Sequence, residues 1–109
     1  MKQLLLAAAL CSPLAASAAS FDCKKAASAD EKAICANLSL NDKDVKMVTQ
    51  FDFLKGLFAM GARGELQDQQ REWLKTRRQC GGSVSCLNRA YDARLSQLDK
   101  VYNGINRPI

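Results

Sequence analysis

Apolar residues recur along much of this chain at steps of three, four and seven, the spacing of one face of an α-helix. The clearest stripe is Leu40, Met47, Val48, Phe51, Leu54 and Phe58, which predicts a helix over about residues 40–60. At 100° per residue Phe53 points almost opposite Phe51, and Val45 and Met60 fall on the same far side, so this helix is apolar on two faces. Its second face is covered either by a short upstream helix or by a partner, because exposed apolar patches mark contact sites. Upstream, Ser28-Ala29-Asp30-Glu31 is a capping box that predicts a short helix running to about Asn37, with Ala33 and Ile34 inward. Ser39 is the expected cap of the long helix.

Gly61-Ala62-Arg63-Gly64 interrupts the pattern and predicts a tight turn that returns the chain antiparallel. A third helix follows from about Glu65 to Cys80 with Leu66, Trp73 and Leu74 inward. Gln70 and Arg77 lie in line with Leu66 and Trp73, so they require polar partners if buried, and Tyr91 and Asp92 are the candidates. After Gly81-Gly82-Ser83-Val84-Ser85, Leu87, Tyr91, Arg94 or Leu95, Leu98, and Val101 or Tyr102 keep a helical period for four turns. The predicted fold is all-α, a short N-terminal helix plus three longer antiparallel helices in one disulfide-stapled domain over residues 20–109.

Cysteine usage gives the staples. Residues 1–19 open with Lys2, run apolar through Leu10 and close on Ala16-Ser17-Ala18-Ala19, the layout of a cleaved export signal. That segment is too short to span a bilayer, which takes about 20 apolar residues, and Leu10 before Cys11 is a poor lipidation context. Export places the remaining Cys23, Cys35, Cys80 and Cys86 in an oxidising compartment, periplasmic or extracellular, as two disulfides with three possible pairings. Local rings are favoured: Gly81-Gly82 supplies the positive-φ position that lets Cys80 and Cys86 meet, leaving Cys23 for Cys35. Neither spacing fits a zinc knuckle. A domain of about 90 residues has a thin hydrophobic reserve, so such staples are expected.

The chain has no histidine. That removes Ser-His-Asp and Cys-His nucleophiles and histidine metal ligands, and no glycine-rich phosphate loop lies between a strand and a helix. Nothing singles out a catalytic carboxylate pair. An enzyme is therefore not expected, and neither is a cofactor or metal.

The segment Gln70-Arg71-x-Trp73-Leu74-x-x-Arg77-x-x-Cys80, then Cys86-Leu87 and Tyr91-x-x-Arg94, with Phe21-Asp22-Cys23 and Glu31-Lys32-x-Ile34-Cys35 upstream, resembles the LprI-like family of exported lysozyme inhibitors. The similarity spans nearly the whole mature chain. It implies an all-helical, disulfide-stapled envelope domain whose partner is a protein, a lysozyme-type glycosidase in the members that named the family. Gln70, Trp73, Leu74, Arg77, Tyr91 and Arg94 carry over as architecture.

Charge bears on the target. The chain holds 16 Lys and Arg against 11 Asp and Glu, net +5, and the excess lies in residues 61–109. A cationic surface gets no long-range steering toward a cationic lysozyme, yet one projecting cation can still pair with the two carboxylates of a glycosidase cleft. Arg63, held out on its glycine turn, is the candidate, with Val45, Phe53 and Met60 as the apolar alternative. A second function class is an envelope-binding module whose basic hairpin, through Arg71, Lys75, Arg78 and Arg89, meets anionic polymers. Neither reading involves nucleic acid or a membrane span, and both expect a monomer.

Overall fold

The computed structural model describes residues 19–105, so the export signal predicted over residues 1–19 lies almost wholly outside the described residues. Every regular element described is helical. A 3-10 turn, Cys23–Lys25, leads to α1 (Ala29–Ala36), α2 (Leu38–Leu57), α3 (Met60–Gln79) and α4 (Val84–Asn103). The capping box forms as the sequence predicts, with the Ser28 N–H donating to Glu31 Oε1 at 3.2 Å. α2 begins earlier than its predicted cap. Asn37, not Ser39, does the capping, and its Oδ1 accepts from the Leu40 N–H at 3.1 Å. Asn41 then donates to the Ile34 carbonyl at 3.1 Å, satisfying the end of α1 from inside the next helix.

The largest departure is at the α2–α3 connection. Gly61-Ala62-Arg63-Gly64 is not a turn; it is the first turn of α3. Phe58 and Ala59 reverse the chain in ordinary extended conformations (φ −101°, ψ 148° and φ −72°, ψ 170°), so no left-handed residue is required. Glycine inside a helix costs only about 1 kcal/mol relative to alanine, and two contacts favour the helical form. The Arg63 N–H donates to the Ala59 carbonyl at 2.8 Å, and Arg63 Nε donates to the Lys55 carbonyl at 3.0 Å in the last turn of α2. Met60, read from the sequence as the end of the second helix, therefore opens the third.

At the next reversal the glycine reading holds. Gly81 takes φ 58°, the one positive φ among the described residues. Ser83 caps α4 by accepting from the Cys86 N–H at 3.3 Å. The two disulfides are the local ones, Cys23–Cys35 with Cα atoms 5.9 Å apart and Cys80–Cys86 at 5.5 Å.

One core holds the helices together. Ile34, Leu40, Met47, Phe51, Leu54, Leu66, Trp73, Leu87, Tyr91 and Leu98 are buried in it, with Leu74, Leu95 and Val101 partly buried at its edge. α2 packs most extensively against α4, and α1 lies against α2 and α3. None of the described helices is long and apolar enough to cross a membrane.

Candidate functional site

The motif residues converge inside the bundle. Arg77 on α3 donates from Nε to Asp30 Oδ2 at 2.8 Å, and its Nη1 lies 3.8 Å from Asp44 Oδ1. Tyr91 on α4 donates its hydroxyl to that same Asp44 oxygen at 2.7 Å. The lead-in segment closes the far side: the Ser20 N–H and hydroxyl donate to Asp44 Oδ2 at 2.9 and 2.5 Å, and the Phe21 ring lies 5.6 Å from the Arg77 guanidinium. Trp73 packs edge-on against Tyr91, with ring centroids 5.0 Å apart, and donates its indole N–H to the Ala90 carbonyl at 2.9 Å.

The electrostatics follow from this packing. Burial by itself raises the Asp30 carboxyl, but the Ser28 hydroxyl and the Arg77 guanidinium outweigh it and hold Asp30 below its ordinary value. Burial disfavours the charged form of Arg77 too, yet Tyr91 and Asp30 beside it raise its value above the usual one. Tyr91 is pushed far up, by burial first and by Asp44 next, and so stays a hydroxyl donor. Asp30 and Asp44 are sealed from solvent, and through Arg77, Tyr91 and Ser20 they tie α1, α2, α3, α4 and the lead-in segment together.

The polar seam is thus real, but its partners differ from those expected. Tyr91 does meet the seam, while Asp92 points outward and pairs with Lys43 of α2 at 2.8 Å. Gln70 is held by Arg94, whose Nε donates to Gln70 Oε1 at 3.0 Å, and by a 3.3 Å contact from its Nε2 to Met47 Sδ. Asp30, Asn41 and Asp44 were not read as buried from the sequence. Asp44 was legible there, because it stands in line with Leu40, Met47, Phe51 and Leu54; a carboxylate in an apolar stripe asks for a buried cation. Asp30 gave no such signal, since an acidic residue in a first helical turn is explained by the helix dipole alone.

With its motif residues spent on the scaffold, the chain presents its candidate binding groups on the surface. The chain matches no family model, no curated protein and no solved structure.

Two surface features stand out. At the α2–α3 end, Phe53 is 58% exposed, Leu57 51% and Met60 88%, and residues 59–63 are exposed throughout, so this tip stands clear of the core, whose first α3 member is Leu66. α1 does not cover the second face of α2: Val45 and Phe53 are exposed on it, and the Phe53 ring lies 6.2 Å from the Tyr102 ring of α4 between centroids. Arg63 sits on this tip, carried by a helix and tethered to the Lys55 carbonyl, not waving on a glycine loop. The second feature is an open groove of about 800 Å³ between α3 and α4, with Trp73, Ala90, Ala93 and Arg94 among its lining. The described residues contain no group of three or more acidic or cysteine side chains placed to hold a metal ion.

Proposed function

We propose that the protein is an exported, monomeric envelope protein that acts by binding another protein, and that a lysozyme-type glycosidase is the foremost target. The observation that carries the binding reading is the tip of the α2–α3 hairpin, where Phe53, Leu57 and Met60 are exposed beside the cation Arg63. Exposed apolar groups at one projecting end are costly to leave in water and are the usual material of interface anchors. Arg63 adds what a carboxylate-lined cleft would recognise. What supports a lysozyme over other proteins is the motif resemblance together with the narrow, apolar and cationic shape of the tip.

Binding to anionic envelope polymers through the basic face of α3 has less support. Arg71 is paired with Asp68, and Lys75 Nζ lies 2.9 Å from Glu72 Oε2, so part of that face is neutralised within its own helix.

A lysozyme-activity assay with the purified, disulfide-bonded protein, run at two salt concentrations, tests the proposal. Inhibition that survives high salt is the expected result, since apolar burial is not screened. No inhibition, with salt-sensitive adsorption to anionic glycan, would move the function to the polymer-binding class.

A further inference from the structure

The buried cluster around Arg77 is one positive charge short. Asp30 and Asp44 are both buried, and among the described residues Arg77 is the cation in salt-bridge contact with them, at 2.8 and 3.8 Å. Two carboxylates thus share one guanidinium, and its hydrogen bond goes to Asp30. A buried carboxylate without a matching cation is destabilising. Asp44 is instead met by neutral donors: the Tyr91 hydroxyl at 2.7 Å on Oδ1, and the Ser20 N–H and hydroxyl at 2.9 and 2.5 Å on Oδ2.

One of those donors changes its charge if the chain is cut beside it. Ser20 follows directly on residues 1–19, the stretch with the layout of a cleaved export signal. Its nitrogen is the amide of the Ala19–Ser20 peptide bond, and hydrolysis of that bond frees it. Water supplies the second oxygen of the Ala19 carboxylate, and both its protons end on the Ser20 nitrogen, leaving an α-ammonium. The place of that nitrogen is already fixed 2.9 Å from Asp44 Oδ2, because the nearby Cys23 is tied to Cys35 and the Phe21 ring lies 5.6 Å from the Arg77 guanidinium. Ser20 is itself exposed, so the remaining ammonium protons face water. A cut after Ala18 would put the charge on Ala19, about 3.8 Å further along the chain.

We propose that processing cuts between Ala19 and Ser20, and that the new N-terminal ammonium pairs with buried Asp44, supplying the second cation of the cluster and locking the lead-in segment onto α2. In the uncut chain the same nitrogen gives one neutral hydrogen bond, so the fold reaches its full stability only once the leader is removed. The proposal rests on the export reading and is independent of the lysozyme target.

The full-length chain is expressed in a bacterium with a periplasm, and the product is read by intact mass and N-terminal sequencing. Ser20 is expected as its first residue. A product beginning at any other residue overturns the cleavage site, and a chain that is neither exported nor cut overturns the export reading and the proposal with it. The exported protein is then melted beside a chain with one glycine ahead of Ser20, its first residue verified by mass, in which Ser20 again carries an amide. At pH 7 the chain beginning at Ser20 should melt about 4 °C or more above the extended one. Because the cause is a charge, that gap must titrate. Pairing raises the folded value of an ammonium, so its stabilisation is full below the ordinary α-amino range of about 7.7–8.0 and is lost as pH rises through the folded value. Around it, Asp30 on α1 is held low, while Arg77 on α3 and Tyr91 on α4 are pushed up, and the other titrating side chains are common to both proteins. The gap should therefore narrow above about pH 8. Equal melting temperatures at pH 7, or a gap that has not narrowed by about pH 10, would overturn the ammonium pair and leave the export reading standing.

Discussion

Arg77 Nε lies 2.8 Å from Asp30 Oδ2, joining α3 to the first turn of α1 across 47 residues of chain. Because the same guanidinium approaches Asp44 at 3.8 Å, it neutralises two buried carboxylates from two different helices. Arg77→Met should therefore destabilise by about 3–5 kcal/mol, leaving both carboxylates without their cation. Asp30→Asn should cost less, about 1–3 kcal/mol, since Arg77 keeps Asp44 and an amide oxygen can still accept. Denaturant melts of the two variants give the order; a larger loss for Asp30→Asn would mean that Asp44 and not Asp30 is the dispensable partner.

Acid should loosen the same joint. Asp30 is held below its ordinary value of 3.8, and Glu31 is lowered as well by the backbone N–H groups of Ala27 and Ser28. Groups with depressed folded-state values contribute stability that is full above their unfolded values and is lost as pH falls through the folded ones. Melting temperature should be insensitive to these two groups above about pH 5 and should drop below about pH 4. Asp30→Asn should flatten that drop, and an acid limb identical to the parent's would exclude Asp30 as its source.

Trp73→Ala removes a ring packed on Tyr91 and the indole bond to the Ala90 carbonyl. The expected loss is about 3–5 kcal/mol. Melts of the oxidised and reduced forms should show it in both, with the reduced variant near or past its folding limit; a loss under about 1 kcal/mol would show that Trp73 does not anchor the core.

Removing the Cys80–Cys86 ring by a double serine substitution should cost about 2 kcal/mol, and removing Cys23–Cys35 about 3 kcal/mol, as chain entropy gives for rings of this size. The longer ring restricts the unfolded chain more. Thermal melts against the intact protein measure both losses, and the reverse order would point to native contacts at the Gly81 turn as the larger effect.

Inhibition should be most sensitive at the hairpin tip. Met60→Asp and Phe53→Asp should each weaken it by about 2 kcal/mol or more, the size of an interface anchor, with little change in melting temperature because both side chains are exposed. Arg63→Glu should be worse than Arg63→Ala if the cation meets cleft carboxylates. Unchanged inhibition constants across all four variants would place the contact elsewhere.

The helices, the capping box at Ser28 and Glu31, and both disulfides were legible in the sequence because each rests on residues close together in the chain. Helical period, a cap three residues from its partner, and rings closed over a Gly81 turn or a short helix are local geometry. What local geometry left undecided is where tertiary contacts chose. Gly61-Ala62-Arg63-Gly64 reads as a turn by glycine content, yet Phe58 and Ala59 make the reversal and Arg63 ties the new helix to the Lys55 carbonyl. Asp30, Asp44, Arg77 and Tyr91 meet only after α1, α2, α3 and α4 have packed. Whether a polar residue on a core face is solvated, paired or, as Arg94 is among the described residues, left without a counter-charge depends on which distant group the bundle brings to it, and no spacing along the chain carries that information.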